Sequence, residues 1–558
     1  MSRTLFFYIF KDLLKIFFLT SGALAGIMSF GGLLRPLTEH GLDASQAGTM
    51  LTYFMPAMTT YSLPIAALFA TTVVYGRLAA DNEITACRAA GISYVLVALP
   101  AVVLGLVVAL VSLLFLCFVV PVATLKVERV IYSNIAQLIA NQIERTHQIK
   151  FQDITIFAQD AAVAPQDDPR SNEQVVSLGG LMITSYRRLP SQVPNMPDLQ
   201  IPREFYLAKQ ATVRIRRDAN DEFTLHAKLE DPGGAMFPRA FEGEVAMQGG
   251  LQATEYGPVP LPSPVQEEVK FMDIARLHEL YRDLSKSRRV QEQVQKLVRS
   301  AQEAAYLDTA REALSQPNGV FHFDAGGEQY DLIAPRGAAG VQTRAGRLYV
   351  TPAKLIQTRG GVSVFTWEAA EVQLDAEPAG GGVLSVRALL HDVVAQTPEG
   401  PDARPSFTRT ISVKMPPAVK ELETLDLDTL RADANSRRTS EAERNVLNRT
   451  LIRLNNGIMS ELHSRCSFAL SCLILVIVGC CLGMMFKSGN YLTAFALSVI
   501  PALVCIALIV AGQHTCENVP WNLTNFKNPL NLGLILIWSG NAMVLVIAVA
   551  LGWRLQRQ

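Results

Sequence analysis

Apolar and polar positions are strongly segregated along the 558 residues of the chain. Apolar runs long enough to cross a bilayer as helices lie only within residues 1–121 and 466–558. They predict six transmembrane helices, at residues 16–34, 48–74, 94–120, 467–486, 491–512 and 530–553. The predicted fold class is therefore a polytopic α-helical membrane protein with 3+3 spans and a large polar region between the two groups.

The polar region, residues 122–465, has the pattern of a β-rich domain. Over residues 151–267 apolar side chains alternate with polar ones, which is typical of half-buried strands. Several short strands divided by Gly, Pro and Asp turns indicate a β-jellyroll-like fold. Strand-like spacing returns at residues 320–413 and predicts a second β-lobe.

Helical spacing interrupts this β-rich pattern at residues 273–316. The predicted helical insertion carries an apolar heptad stripe, formed by Val290, Val294, Leu297, Ala301 and Ala304. Such a stripe can hold a partner helix, although packing on its own domain is the commoner use. A linking helix predicted at residues 440–465 is amphipathic and leads directly into the fourth span.

The positions of Lys and Arg in the short loops predict the orientation of the spans. With the amino terminus inside, most of these residues fall on the cytoplasmic side: Arg3, Lys11, Lys15, Arg77, Arg88, Lys487, Arg554 and Arg557. Only Arg35 and Lys527 then remain in the short outer loops. Both termini are thus predicted to be cytoplasmic, and the β-rich region to lie outside.

Residues 75–93, with the sequence YGRLAADNEITACRAAGIS, hold the densest group of charges in the membrane-embedded part. If this stretch is one helix, one face holds Ala79, Glu83, Ala86 and Ala90. The opposite face then holds Arg77, Asp81, Ile84 and Arg88. Gly91 is suited to end the helix in a left-handed cap. The small face with a single carboxylate predicts a docking surface, and an ordinary cytoplasmic loop helix is the alternative.

Composition and motifs exclude several function classes. Lys plus Arg balance Asp plus Glu, so nucleic acid is not a predicted partner. The sequence has no phosphate-binding loop and no hydrolase or zinc-protease motif, so it predicts no ATPase site, no cofactor and no enzyme activity of its own. The apolar runs also lack a chain of Asp, Glu and His, which argues against proton-driven transport.

Neither the cysteines nor the histidines predict a metal site. All eight cysteines lie in or beside the apolar runs, so the polar region is predicted to fold without disulfides. The one local group of candidate ligands, His514, Cys516 and Glu517, matches no standard metal-binding spacing.

The chain resembles the LptF/LptG permeases of the lipopolysaccharide export ABC transporter. Residues 75–93 resemble the family's segment between its second and third spans, and Glu461-Leu-His-Ser-Arg465 resembles its pattern before the fourth. Three spans, an outer β-domain and three more spans match in order. The resemblance implies a multi-pass permease of the bacterial inner membrane that extracts lipopolysaccharide or a related lipid and passes it to a periplasmic bridge.

The resemblance also implies partners and roles. The partners are a cytoplasmic ATPase dimer (LptB-like), a second LptF/LptG-type permease, bridge components (LptC/LptA-like) and the lipid. Residues 76–92 correspond to the coupling helix that docks into the ATPase, with Arg77, Asp81, Glu83, Arg88 and Gly91 as its candidate residues. Arg35 either contacts the anionic head group of the lipid or anchors the first span at the interface.

The length of the outer region departs from the resemblance. Family members have a shorter outer region, so residues 273–413 are predicted to be an insertion with no family role to transfer. Two other functions stay open: a permease for lipoproteins or another envelope lipid, and a non-transporting membrane-anchored scaffold. Lipid that co-purifies with the complex distinguishes the first alternative, and the absence of an ATPase partner indicates the second.

Overall fold

The computed structural model of the chain describes residues 3–40, 44–133, 135–151, 154–164, 173–189, 199–217, 223–230, 233–236, 246–248, 255–260, 268–325, 327–344, 347–360, 362–380, 382–397, 400–425, 427–432, 441–486, 491–520 and 527–557. The chain forms two units. Unit 1 comprises Met1–His278, Asn456–Asn518 and Pro529–Gln558, and unit 2 comprises Glu279–Asn455 and Val519–Asn528. Unit 1 holds the first of two β-sheets, and unit 2 holds the second.

Unit 1 begins with a series of helices. They are α1 (Arg3–His40), α2 (Ala44–Ala80), the short α3 (Glu83–Ala89) and α4 (Tyr94–Leu114). A π-helical turn, Phe115–Val119, continues α4 directly into α5 (Val120–Ser133). The helix of the third span therefore continues past residue 120, where the predicted span ends.

The π-helical turn has a physical reason in the spacing of buried residues. In α4 the buried positions follow at intervals of three or four, at Val97, Ala101, Leu104, Val108 and Ser112. The next buried residue, Cys117, lies five positions further on. A π-helical turn bonds at i to i+5 and so brings that residue back to the same face. Val120 and Val127 continue the buried face into α5.

The first β-sheet follows α6 (Ile135–Thr146) and is antiparallel. Its strands are β1 (Gln148–Phe151), β2 (Ile154–Phe157), β3 (Asp160–Val163), β4 (Glu173–Leu189), β5 (Leu199–Arg217), β6 (Phe223–Glu230), β7 (Gly233–Met236), β8 (Ala246–Gln248) and β9 (Glu255–Pro260). Cross-strand pairs such as Val213 with Ala227 and Ile215 with Leu225 are buried, which confirms the predicted alternation. Ile139 and Ile143 of α6 join the same core.

In the sequence, two helices lie between the strands of the first sheet and those of the second: α7 (Ile274–Arg282) and α8 (Arg288–Leu314). The strands of the second sheet are β10 (Gly319–Ala325), β11 (Glu328–Ala334), β12 (Val341–Arg344), β13 (Arg347–Val350), β14 (Ala353–Arg359), β15 (Val362–Gly380), β16 (Val383–Thr397) and β17 (Gly400–Lys414). Short helices α9 (Pro417–Lys420) and α10 (Leu427–Ala432) follow. The predicted helical stretch and second β-lobe are thus confirmed.

The apolar stripe of α8 packs within its own unit. Val290, Leu297 and Ala301 are buried, and the buried face continues to Tyr306 and Leu314. Tyr306 and Leu314 share a hydrophobic core with buried residues of the second sheet. Because Val290, Leu297 and Ala301 are already buried within the chain, these three residues of the stripe are not free to hold a partner helix.

The chain ends with three more apolar helices, α11 (Glu441–Met485), α12 (Tyr491–Glu517) and α13 (Leu530–Arg557). The predicted linking helix at residues 440–465 and the fourth span form one continuous helix, α11. Among the described residues, six helices are long and apolar enough to cross a membrane. The 3+3 arrangement predicted from hydropathy is confirmed.

Candidate functional site

The stretch predicted as one helix, residues 76–92, folds as two helices with a turn between them. Asn82, in that turn, has a left-handed backbone with φ 57°. Asn is among the few residues that adopt this conformation readily. Because the chain changes direction there, Ala79 is buried on α2 while Ala86 and Ala90 are exposed. The single face that the sequence predicts for these alanines does not form.

Helix α3 is anchored by one apolar side chain and exposes small ones. Ile84 is only 6% exposed and joins the core of the apolar helices. At about 100° per residue, Ala86 and Ala89 point away from Ile84. We call the exposed side of α3 the small-residue face; it consists of Thr85, Ala86, Ala89 and Ala90. Such a face lets another protein approach the helix backbone closely.

Side chains of α1 hold the chain on both sides of the turn before α3. The Arg77 guanidinium on α2 donates to the Asp12 carboxylate. The Tyr8 hydroxyl lies 3.5 Å from Glu83 Oε1 and donates to it at the start of α3. The exposed Asp81 lies in the turn itself. Two of the predicted coupling residues, Arg77 and Glu83, thus contact the amino-terminal part of α1.

The end of α3 is closed by a cap that the sequence predicts. Gly91 has φ +79°, and its N–H donates to the Arg88 carbonyl at 2.9 Å. The N–H of Ile92 donates to the Cys87 carbonyl at 3.0 Å, which completes a Schellman motif. The predicted left-handed cap at Gly91 is confirmed.

Hydrogen bonds of two tyrosines join α4 to the end of α3 and to α2. Arg88 Nη1 donates to the Tyr94 hydroxyl at 2.9 Å, and its guanidinium lies 4.4 Å from the ring centre. The buried hydroxyl of Tyr75 donates to the Val97 carbonyl at 2.9 Å, which joins α2 to α4. α3 therefore contacts α1, α2 and α4.

The structure does not support a functional role for the two other candidate sites, Arg35 and the group around Cys516. Arg35 belongs to α1, but its side chain lies outside the described side chains. The Cys516 thiol donates to the Leu530 carbonyl at 3.6 Å, so it serves the packing of α12 against the start of α13. Within the described part of the chain, no group of three or more His, Cys, Asp or Glu could hold a metal ion.

A buried polar cluster before the fourth span has no role predicted from the sequence. Glu461 and Arg465 are 7% and 2% exposed, and Arg465 Nε donates to Glu461 Oε1 at 2.7 Å. Gln513 on α12 donates to Glu461 Oε2 at 2.9 Å and to Ser464 Oγ at 2.8 Å. The sequence did carry one sign of this cluster: Glu461 and Arg465 lie four residues apart beside an apolar run. Charges buried at such a place usually serve a function.

Arg465 also binds a segment that is distant in sequence. Its Nη2 donates to the Met272 carbonyl at 2.8 Å and to the Lys270 carbonyl at 3.2 Å. We call residues 268–272 the strap, since they connect the first β-sheet to α7. Nη1 of Arg465 is buried and meets no acceptor among the described residues. The guanidinium therefore uses only part of its donor capacity on its present partners.

Further polar contacts bind α13 to α11. Asn541 Nδ2 donates to the carbonyl and to the hydroxyl of Ser467, each at 2.8 Å. The Trp538 indole N–H donates to His463 Nδ1 at 3.1 Å. These side chains join α11, α12 and α13 around the polar cluster.

One comparison identifies the family of the chain. A family model described as Lipopolysaccharide export system permease LptF/LptG matches residues 7–226 and 356–554, which is most of the chain. The match covers α3 with its partners Tyr8 and Tyr94, the polar cluster, and strands β15 to β17 of the predicted insertion. It leaves residues 227–355 unmatched, a stretch that differs from the predicted insertion, 273–413, at both ends. Among curated proteins, none matches the chain.

Proposed function

Because the chain belongs to the LptF/LptG family of lipopolysaccharide export permeases, we propose that it extracts a lipopolysaccharide-like lipid from the inner membrane and passes it to a periplasmic bridge. The chain is a transport subunit of the membrane, and a separate cytoplasmic ATPase dimer of the LptB type supplies the energy. A second permease of the same family and LptC/LptA-like bridge components complete the assembly. Both termini and α3 then face the cytoplasm.

The exposed small-residue face of α3 is the observation that carries this proposal. A short helix with alanines at its centre can enter a groove of the ATPase without steric conflict. Because α3 contacts α1, α2 and α4, a movement of α3 that the ATPase causes would act on these three helices. Nucleotide-driven motion of the ATPase thereby reaches three helices of the permease at once.

This mechanism requires unequal binding of the ATPase to two permease states. A partner shifts a conformational equilibrium only as far as its affinities for the two states differ. Closure of the ATPase around bound ATP would favour the state in which the cavity between paired permeases is narrow. The lipid then leaves that cavity for the first β-sheet.

The test places a large cation on the small-residue face. Ala86→Arg and Ala89→Arg change exposed residues, and Arg is almost as good a helix former as Ala, so folding is preserved. We expect both variants to lose the ATPase on co-purification and to lose lipid export. Ala275→Arg, the same change at an exposed position of α7, is the matched control and keeps both. Retained ATPase and export in the α3 variants would refute the docking role.

The lipid is identified by mass spectrometry of the purified complex. A bound lipopolysaccharide-like glycolipid supports the proposal, whereas lipoprotein or another envelope lipid supports a related permease. A chain that never captures an ATPase, and whose complexes do not respond to ATP, is a scaffold.

A further inference from the structure

The contact between Arg465 and the strap has the properties of a reversible latch. We propose that Arg465 is a positioning residue that holds the strap on α11 in one state of the transport cycle and releases it in another. The inference rests on the proposed transport function, and it adds a moving part on the side of the first β-sheet.

The latch can open without leaving a buried charge unpaired. Arg465 holds the strap only through neutral backbone carbonyls, those of Lys270 and Met272. Its charge is balanced by Glu461, four residues earlier on the same helix. When the strap leaves, this ion pair stays intact, so the large penalty for an isolated buried charge does not arise. An ion pair between helix and strap would lack this property.

The strap also balances its own charges. Lys270 Nζ lies 2.5 Å from Glu268 Oε2, within the strap. The same ammonium group lies 4.7 Å from the centre of the Phe271 ring, its neighbour. Lys270 also interacts electrostatically with Glu461 on α11. After separation both charged side chains of the strap keep the partners that they have within the strap.

Helix α11 provides a smooth seat for the strap. At Gly457 the helix has no side chain, and Val269 of the strap lies over that position. A Cβ built at Gly457 would be 3.9 Å from Val269 Cβ. Contact without interdigitation is easily made and broken, since few side-chain atoms must repack.

The latch is linked to the fifth span through Gln513. This residue on α12 donates to the carboxylate oxygen of Glu461 that Arg465 Nε does not contact. A shift of α12 along α11 therefore reorients Glu461 and with it the guanidinium that holds the strap. Because the strap follows β9 in the sequence and precedes α7, its release would free the chain that lies between the first β-sheet and α7.

The decisive experiment locks the strap with a disulfide. The Cβ separation of 3.9 Å between Gly457 and Val269 lies within the range of natural disulfides. The full-length complex with its ATPase carries Val269→Cys and Gly457→Cys, and each single variant controls for pairing with native cysteines. Lipid exported and ATP hydrolysed are measured under oxidising conditions and again after reduction.

We expect the oxidised double variant to keep its ATPase and hydrolyse ATP while exporting at least tenfold less lipid per ATP, and reduction to restore export. Export by the fully oxidised variant at the wild-type ratio would overturn the latch. So would failure of the disulfide to form, because the two positions would then not be neighbours. A wild-type complex that captures no ATPase or exports no lipid would instead refute the proposed function.

A conservative substitution supplies a second measurement. Arg465→Lys keeps a positive charge but has a single nitrogen, whereas the guanidinium binds Glu461 through Nε and the strap carbonyls through Nη2. We expect normal assembly and ATP hydrolysis with a reduced ratio of lipid exported to ATP hydrolysed. An unchanged ratio would show that the guanidinium only stabilises the fold.

Discussion

Arg77 on α2 is paired with Asp12 on α1, directly before the turn that leads to α3. Their side chains are 42% and 27% exposed, and ion pairs this accessible to solvent contribute at most about 1 kcal/mol to stability. The main effect of the pair is therefore on the position of α3. If α3 docks into an ATPase, this pair sets the angle at which it is presented.

Breaking the pair should weaken docking more than folding. We expect Arg77→Gln and Asp12→Asn each to lower the affinity for the ATPase about fivefold, which corresponds to ~1 kcal/mol, with little change in melting temperature. The exchange Asp12→Arg with Arg77→Asp should restore most of the affinity. Titration of purified permease with ATPase measures the effect, and an exchange variant weaker than both single variants would contradict it.

The cap at Gly91 gives a prediction about backbone strain. Gly91→Ala forces an L side chain into φ +79°, and we expect a loss of about 1 kcal/mol. A Cβ at this position meets no described atom within 4 Å, so the strain is the only contribution. Gly22→Ala is the matched control, because that Cβ is equally unobstructed in an ordinary helix. Hydrogen exchange of α3 should increase only in Gly91→Ala.

The Glu461 carboxylate should be essential for stability while Arg465 is present. Glu461→Gln leaves a buried guanidinium without its counter-charge, and we expect a loss of about 3–5 kcal/mol in thermal unfolding. The double variant Glu461→Gln with Arg465→Gln should be the more stable of the two, since it buries no charge. Greater instability of the double variant would contradict this account.

The chain contains a matched control for this pair. Arg288 and Glu292 are also four residues apart, at 3.0 Å, but are 32% and 46% exposed. Glu292→Gln should change stability by less than about 1 kcal/mol, because solvent screens the remaining charge.

The second β-sheet should lose protection in acid through Glu328. Hydrogen bonds from the Tyr330 hydroxyl and from Arg359 hold the pKa of Glu328 below its ordinary value. A carboxyl whose folded pKa is lowered stabilises the fold above its unfolded pKa, and this contribution disappears as pH falls through the folded pKa. Hydrogen exchange of β11 and β14 between pH 5 and pH 3, corrected for intrinsic rates, should show it. Glu328→Gln should flatten this dependence.

The parts of the fold that depend on repeated patterns could be predicted from the sequence. Apolar runs gave the six spans, and alternation such as that of Val213 and Ile215 gave the sheets, because burial repeats along each element. Gly91 was equally predictable, since a glycine after a helix commonly takes the left-handed cap.

The remainder depends on single residues or distant contacts. The turn at Asn82 interrupts an otherwise helical pattern, and periodicity does not show that one Asn adopts positive φ. The bonds from Arg465 to the strap join segments nearly 200 residues apart, which no local pattern shows. The turn at Asn82 and the contact of Arg465 with the strap could therefore be identified only from the structure.

The π-helical turn at Phe115–Val119 makes the third span tolerant of a change in length. Deleting one residue from a regular α-helix rotates everything beyond it by about 100°. The π-helical turn contains one residue more than an α-helical turn. Deleting one residue there would convert it to α-helix and leave Val120, Ala123 and Val127 in register with the buried face of α4. A deletion at this turn is thus expected to shorten the third span by one residue and keep its helix contacts.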